Sequence, residues 1–332
     1  IFESSDYWNR TDHTEKHQDE INFIHRAIVL EYGMAFPGVI QKHCKIIQPN
    51  IGAITNIGTA HIGNFNGDIR GIAAAKSELI KGMDRDGHLF LNGDDKNSKL
   101  LHSKNFKGVL KKVSIHSPSD YQAKNLRYSV EGISFDLKLS GKSHTFSIPY
   151  HGEFYVYNAL LAIAISDLLG FKPEEIKQGL NEVKKPKHRL DVMQLKSNIT
   201  LIDDTVHAFP DAMKGALDVL TKLEGEKKVA VLGSMAGFGD KHEAVHKEIG
   251  RYVAEKKIDY LFTYGNLSKN IGAGAREAGM NKQRIFHFNR HYMNELNAKL
   301  EKIIQPNWTI LIKGASGLEM VDTVEYCKKI FG

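Results

Sequence analysis

Between Ile51 and Met83 the spacing of apolar residues changes once. The run Ile51–Ile54 is short and apolar around Gly52, as in a buried strand, whereas Ile72, Ala75, Leu79 and Ile80 fall at helical spacing. This predicts a βα unit. Its strand gives out at Thr55-Asn56, a Gly-rich turn exposes His61, and Lys76 stands on an Ala-rich helix. His61 is therefore expected at the carboxyl end of a strand, where open α/β sheets bind ligands. A second strand is predicted over Arg26–Gly33, parallel to the first and ending near Glu31, so that a carboxylate and an imidazole reach one sheet edge.

Farther along, residues 95–149 break into short alternating runs with Gly132 and Gly141 between them, the pattern of antiparallel hairpins. A helix follows, with apolar positions at Ala159, Leu160, Ile163 and Ala164, and another is expected over Pro173–Val183. The charged, Pro-containing stretch Lys184–Asp191 is the best domain boundary. Beyond it come NITLIDDTV, KKVAVLG, IDYLFTYG, QRIFHF and WTILIKG, each but the last followed by a helical stretch, which predicts a parallel sheet with right-handed crossovers.

Composition narrows the function classes. The 332 residues suit about two domains, and 42% hydrophobic with 25% charged residues describes an ordinary globular core. The net charge of +6 comes from scattered lysine clusters without interleaved aromatics or a nucleic-acid module, so phosphorylated small molecules are the expected partners and nucleic acid is not. Two cysteines, Cys44 and Cys327, are too few for a disulfide framework and fit a reducing compartment, the cytoplasm. The longest apolar run, Ala159–Ile165, is too short to span a bilayer, so no membrane partner is expected.

Glu31 and His61 at strand ends, with Lys76 behind, suggest a site for a hard divalent cation and phosphate oxygens. Read from the residues alone, this is a possible metal site and no more. The order VLEYGM, PNIGAITNIGTAHIGNF, GIAAAKSELIKGM, LNGDD resembles the central domain of the Mur ligases, the ATP-dependent amino-acid-adding enzymes of peptidoglycan synthesis. The resemblance implies an α/β fold: a mostly parallel central sheet with a small antiparallel edge sheet over residues 1–185, then a Rossmann-like α/β domain over 186–332. It also implies ATP and Mg2+ as cofactors. Glu31, His61 and Lys76 would serve the magnesium ions, with Lys76 carbamylated, and Lys76 and His61 would be catalytic.

The same resemblance assigns the other contacts. Asn56 and Asn158 would face the nucleotide, although Phe154-Tyr155 replace a family His-Asn pair that holds the adenine. Arg189 matches the arginine of G-R-[LM] that contacts phosphates, with His188 in place of the glycine. Asp204 lies in LIDDTVHAFPDAM, which resembles D-D-x-Y-N-A-N-P with His207 and Phe209 replacing the two asparagines, and would approach ribose and phosphates; Asp203 would shape the turn. Lys313 and Ser316, in KGASGLEM, would contact the amino substrate, without the arginine the family has there. The implied reaction joins a carboxylate to an amine through an acyl phosphate. The implied substrates are a UDP-muramoyl peptide and an amino acid or dipeptide; folate polyglutamate and cyanophycin ligases share these domains. The phosphate loop G-x-x-x-x-G-K-[ST] occurs nowhere in the 332 residues. The expectation is a fragment whose front carries the loop and which by itself turns over ATP poorly; a non-catalytic nucleotide-binding relative is the alternative.

Two motifs compete with this reading. His242-Glu243-Ala244-Val245-His246 is a literal H-E-x-x-H, the zinc-peptidase helix motif, with Glu277 or His287 as conceivable third ligands. GAGAREAG, Gly272–Gly279, is a near miss to the dinucleotide fingerprint, placed inside a helical stretch and so read as helix packing and capping.

Overall fold

The computed structural model describes residues 1–4, 8–59, 61–183 and 187–332. The chain divides into two compact units: residues 1–125, 136–145 and 156–176 in the first, and 126–135, 146–155 and 177–332 in the second. Residues 184–186 of the expected boundary lie outside the described residues.

The first unit opens with β1 (Phe2–Glu3), α1 (Thr11–Glu20), β2 (Ile28–Val29) and α2 (Val39–Ile46). The strand expected over Arg26–Gly33 shrinks to β2, which pairs in parallel with β1 in a sheet of its own. Glu31 therefore does not end a strand beside that of His61. The physical reason is local: Gly33 donates to the Asn9 carbonyl at 2.8 Å, and Tyr32 turns its hydroxyl onto the Ile47 carbonyl at 2.6 Å, which takes the chain out of extended pairing.

The main sheet of this unit holds β3 (Ile51–Ile54), β4 (His88–Asn92), β5 (Val109–Ser114) and β6 (Tyr121–Gln122), in that order and wholly parallel. Residues 109–122, expected as hairpins, thus extend the parallel sheet. β4 is buried nearly throughout, as a central strand covered on both faces must be. Helix α3 (Ile69–Gly82) starts at Asp68, whose carboxylate accepts from the Arg70 amide at 2.9 Å, and lays Ile72, Ala75 and Ile80 on Ile54, Leu89 and Leu91.

The hairpin pattern does hold for β7 (Lys124–Tyr128), β8 (Ile133–Leu139) and β9 (Lys142–Ile148), which form a three-stranded sheet. β8 and β9 join through Ser140 and Gly141, both at positive φ (48° and 80°), the two-residue turn that matches strand twist. Helices α4 (Glu153–Leu168) and α5 (Pro173–Asn181) follow.

The second unit is a doubly wound sheet of β10 (Asp191–Gln194), β11 (Thr200–Asp204), β12 (Lys228–Gly233), β13 (Tyr260–Tyr264), β14 (Ile285–Phe288) and β15 (Thr309–Lys313). The order is β10-β11-β15-β12-β13-β14, parallel except that β10 runs antiparallel to β11. Two features depart from the expected βα alternation: the antiparallel edge strand, and a helix over Val321–Phe331 after the last strand, where none is expected. Helices α6 (Pro210–Lys222), α7 (His242–Glu255) and α8 (Lys269–Glu277) cover one face through Leu217, Ile249 and Ile271. Helices α9 (Met293–Ile303) and α10 (Val321–Phe331) cover the other through Leu296, Leu300 and Val324. β15 returns to lie between β11 and β12, so the strand order reverses there, and ligands of such sheets bind at the strands' carboxyl ends. Among the described residues no helix is long and apolar enough to cross a membrane.

Candidate functional site

In the first unit the loop leaving β3 carries Asn56 and His61. A single peptide fixes it: the Asn56 carbonyl accepts from Lys76 Nζ at 2.9 Å, while the Ile57 amide donates to Asp95 Oδ2 at 2.8 Å. The Ile57 carbonyl accepts from Asn97 Nδ2 at 2.9 Å, and Ile57 itself is buried. A cation holds one end of the Asn56–Ile57 peptide and a carboxylate the other, so both charges favour one orientation. Asp95 is held in turn by the Asn97 amide and the Ser98 hydroxyl, each at 3.0 Å. Sequence reasoning missed this clamp; its signal was the polar cluster Asp94–Ser98 just after a buried strand.

His61 lies at φ 61°, in the left-handed region, where it begins a short 3-10 turn over Ile62–Phe65. Histidine tolerates that conformation better than branched residues do. Its imidazole is exposed, as are Asn56 on the same loop and Asn158 on α4. Glu31 is exposed and accepts from Asn9 Nδ2 at 2.9 Å. The segments bearing these groups do meet: Asn64 Nδ2 donates to the Ala35 carbonyl at 3.0 Å, joining the chain after His61 to the chain after Glu31. Burial pushes the Lys76 ammonium below the ordinary lysine range, against the opposing pull of Asp95, and so raises the fraction of neutral amine that carbamylation requires.

Next to Asp95 in the chain, Asp94 braces the 115–117 turn. Its carboxylate accepts from the Ile115, His116 and Ser117 amides at 2.7, 2.9 and 3.0 Å, from Tyr157 at 2.8 Å, and from the Ser117 hydroxyl. Burial alone would push its carboxyl up; these donors outweigh it and hold it well below the usual range.

Among the described residues no group of three or more His, Cys, Asp or Glu could hold a metal ion. Glu31 and His61 are thus not joined by a third His, Cys, Asp or Glu among the described residues. Glu31 and His61, an exposed carboxylate and an exposed imidazole, would suit an ion that fills its other positions with phosphate oxygens and water.

In the second unit Asp204 and Lys313 are register partners at the carboxyl ends of β11 and β15. Lys313 Nζ donates to Asp204 Oδ2 at 2.6 Å and to the His207 carbonyl at 2.9 Å, and the lysine is only 1% exposed. Lys313 is thereby corrected: a buried ammonium with two partners holds the Asp204 turn and cannot reach a substrate. Ser316 is exposed, and its amide donates to the Val206 carbonyl at 3.1 Å. Asp203 is buried; it accepts from Thr205 Oγ1 at 2.8 Å and bonds His188 Nδ1 at 2.6 Å. His188 has φ 59°, the conformation a glycine adopts at no steric cost, and the Asp203 contact holds it there. Arg189, next along, donates to His207 Nε2 at 3.0 Å.

The zinc alternative fails on geometry. His246 is buried with both ring nitrogens engaged: Nε2 accepts from the Met235 amide at 3.0 Å and Nδ1 faces the His242 carbonyl at 2.7 Å. The ring is a neutral tautomer with no lone pair left for a metal. Glu243 and Glu277 both pair with Lys247 at 2.9 Å, and His287 bonds Thr263 and Asn289. In Gly272–Gly279, a Cβ on Gly274 would meet the Lys247 carbonyl at 2.2 Å, and Gly279 ends α8 at φ 96°, so helix packing and capping account for this segment.

Parallel strand ends carrying exposed polar groups above a clamped loop, with a doubly wound second unit, define an α/β protein of the kind that handles phosphate-bearing ligands. Residues 9–166 match the Mur ligase middle domain and residues 188–316 the Mur ligase glutamate ligase domain. The chain belongs to the Mur ligase family. It is 35% identical over 298 residues to the UDP-N-acetylmuramoyl-tripeptide–D-alanyl-D-alanine ligase of Bacillus subtilis, covering 90% of this chain and 63% of that one. The Haemophilus influenzae enzyme of the same name is 30% identical over 307 residues, 90% of this chain and 64% of that one. The crystal structure of MurF from Acinetobacter baumannii superimposes with a TM-score of 0.82 at 26% identity, covering 99% of this chain and 70% of that one. The chain thus spans just under two-thirds of the length of the curated relatives it matches.

Proposed function

We propose that the protein to which this chain belongs is an ATP-dependent carboxylate–amine ligase acting in the cytoplasm on a UDP-muramoyl peptide, with D-alanyl-D-alanine as the amino substrate. A substrate carboxylate oxygen attacks the γ-phosphorus of ATP and ADP leaves. The amine nitrogen then attacks the acyl carbon, phosphate departs, and the amine gives up its proton as the amide forms. The protein's share is positioning and charge neutralisation on oxygens in transit. His61, Glu31 and Lys76 as its carbamate would hold Mg2+, which when bound offsets phosphate charge. Asn56 and Asn158 would orient the nucleotide, Arg189 would take phosphate oxygens with its planar fork, and Ser316 would meet the amino substrate, while Asp204, buried against Lys313, fixes the turn after β11.

The observation that supports this reading is the loop leaving β3, held at a strand's carboxyl end by Asp95 on the Ile57 amide and Asn97 on the Ile57 carbonyl, contacts that keep Asn56 in place whether Lys76 is a free amine or its carbamate. The test is a chimera joining the front of the Bacillus subtilis ligase to this chain, assayed for ADP release and amide formation. Ligation that falls at least about 100-fold on His61→Ala or Lys76→Ala is expected. A folded chimera without ATP-dependent ligation, beside an active parent, would contradict the proposal.

A further inference from the structure

Arg189 is bracketed by two histidines that the family pattern does not contain. His188 is fixed by the buried Asp203, which anchors the turn on one side of the guanidinium. On the other side His207 Nε2 accepts from Arg189 at 3.0 Å, so this nitrogen carries no proton and the ring is neutral. The backbone of His207 is fixed as well, because its carbonyl takes Lys313 Nζ at 2.9 Å and the preceding Val206 carbonyl takes the Ser316 amide at 3.1 Å. Three candidate residues from separate elements thus converge on one turn, with the exposed His207 imidazole at its tip.

We propose that His207 is the second half of the anion site built on Arg189: neutral, it accepts from the guanidinium; protonated, it joins Arg189 as a second cationic donor to a phosphoryl-type dianion. The inference rests on the reading of Arg189 as a phosphate contact. Its logic is that protonation converts Nε2 from acceptor to donor, so Arg189 and His207 can no longer bond each other and both require an outside acceptor. The groups facing His207 set the sign. Burial, Arg189 and Lys313 push its pKa below the ordinary histidine value, while Asp204 pulls the other way. A dianion between the two rings of charge removes the cation–cation penalty, so anion binding and proton uptake favour each other, and the coupling is reciprocal. An asparagine here, as in the family pattern, can donate without titrating.

Inorganic sulfate is the probe, because it remains a dianion where phosphate itself would titrate. The full chain is titrated with sulfate between about pH 8 and about pH 5, following imidazole 15N and arginine Nε resonances. Sulfate affinity should rise about fivefold or more as pH falls, His207 should titrate at higher pH when sulfate is present, and His207→Asn should flatten the pH dependence while keeping the fold. Equal pH dependence in the wild-type chain, His207→Asn and His207→Gln would overturn the role of His207. If Arg189→Ala leaves sulfate affinity unchanged, the phosphate reading of Arg189 falls and this inference with it; loss of binding in Arg189→Ala with a flat His207 profile overturns this inference alone.

Discussion

The two units arrange their charged groups in opposite ways. In the second, Asp203, Asp204 and Lys313 are buried and partnered, and of the residues considered there Arg189, His207 and Ser316 remain for a ligand. In the first, Glu31, His61, Asn56 and Asn158 are exposed, and rigidity comes from Asp95 and Asn97 on the Ile57 amide and carbonyl and from Asp94 on the 115–117 turn. One region sets geometry with a buried ion pair, the other with carboxylates that collect backbone amides. A buried pair is costly to break but contacts nothing outside, whereas a clamp leaves the groups above it free to meet ligands.

That contrast can be broken first at the buried pair. Lys313→Ala should destabilise the second unit by about 3–5 kcal/mol, since it strands the Asp204 carboxylate, and the Asp204→Leu/Lys313→Met double variant should recover most of the loss in urea unfolding. Next is the Asp94 brace: Asp94→Ala should cost the first unit about 2–3 kcal/mol through lost charge-assisted hydrogen bonds. Because the folded carboxyl is held low, this contribution is full above the ordinary carboxylate range and fades as pH falls through about 4 toward the lower folded value. Unfolding curves of both proteins across that range should therefore converge at the acid end.

A smaller, local effect is expected at the clamp. Asn97→Ala or Asp95→Asn should loosen the loop by about 1–2 kcal/mol, seen as roughly tenfold faster hydrogen exchange at the Ile57 amide with the global transition little changed. The smallest effect belongs to the decoy: His242→Ala should alter stability by less than about 0.5 kcal/mol, and the purified chain should contain no stoichiometric zinc before or after. His242 Nδ1 has no hydrogen-bond partner to lose.

Periodic apolar patterns were legible in the sequence because burial enforces them. The helix over Ile69–Gly82, the βα alternation beyond residue 199 and the β8–β9 hairpin all follow from spacing and turn residues. What spacing could not convey was pairing. Arg26–Gly33 reads as a strand by composition but is drawn aside by Asn9 and Ile47, and Val109–Ser114 alternates like a hairpin strand yet pairs in parallel with β4. The candidate site was legible in residue type and not in partner: Lys313 looked like a free cation until its register opposite Asp204 placed it in the core. His207 and Asp95 escaped because their roles depend on elements distant in sequence, Arg189 at one and the Ile57 amide at the other.

The central claim is that the exposed groups above the Asn56–Ile57 clamp take a divalent cation together with phosphate oxygens. Its most direct test is Mn2+ binding to the chain in the presence of ADP, read by electron paramagnetic resonance, in the wild type and in His61→Ala. The account predicts ADP-dependent Mn2+ binding that weakens at least about tenfold in the variant. Equal Mn2+ affinity in the two proteins, with ADP present, would contradict it.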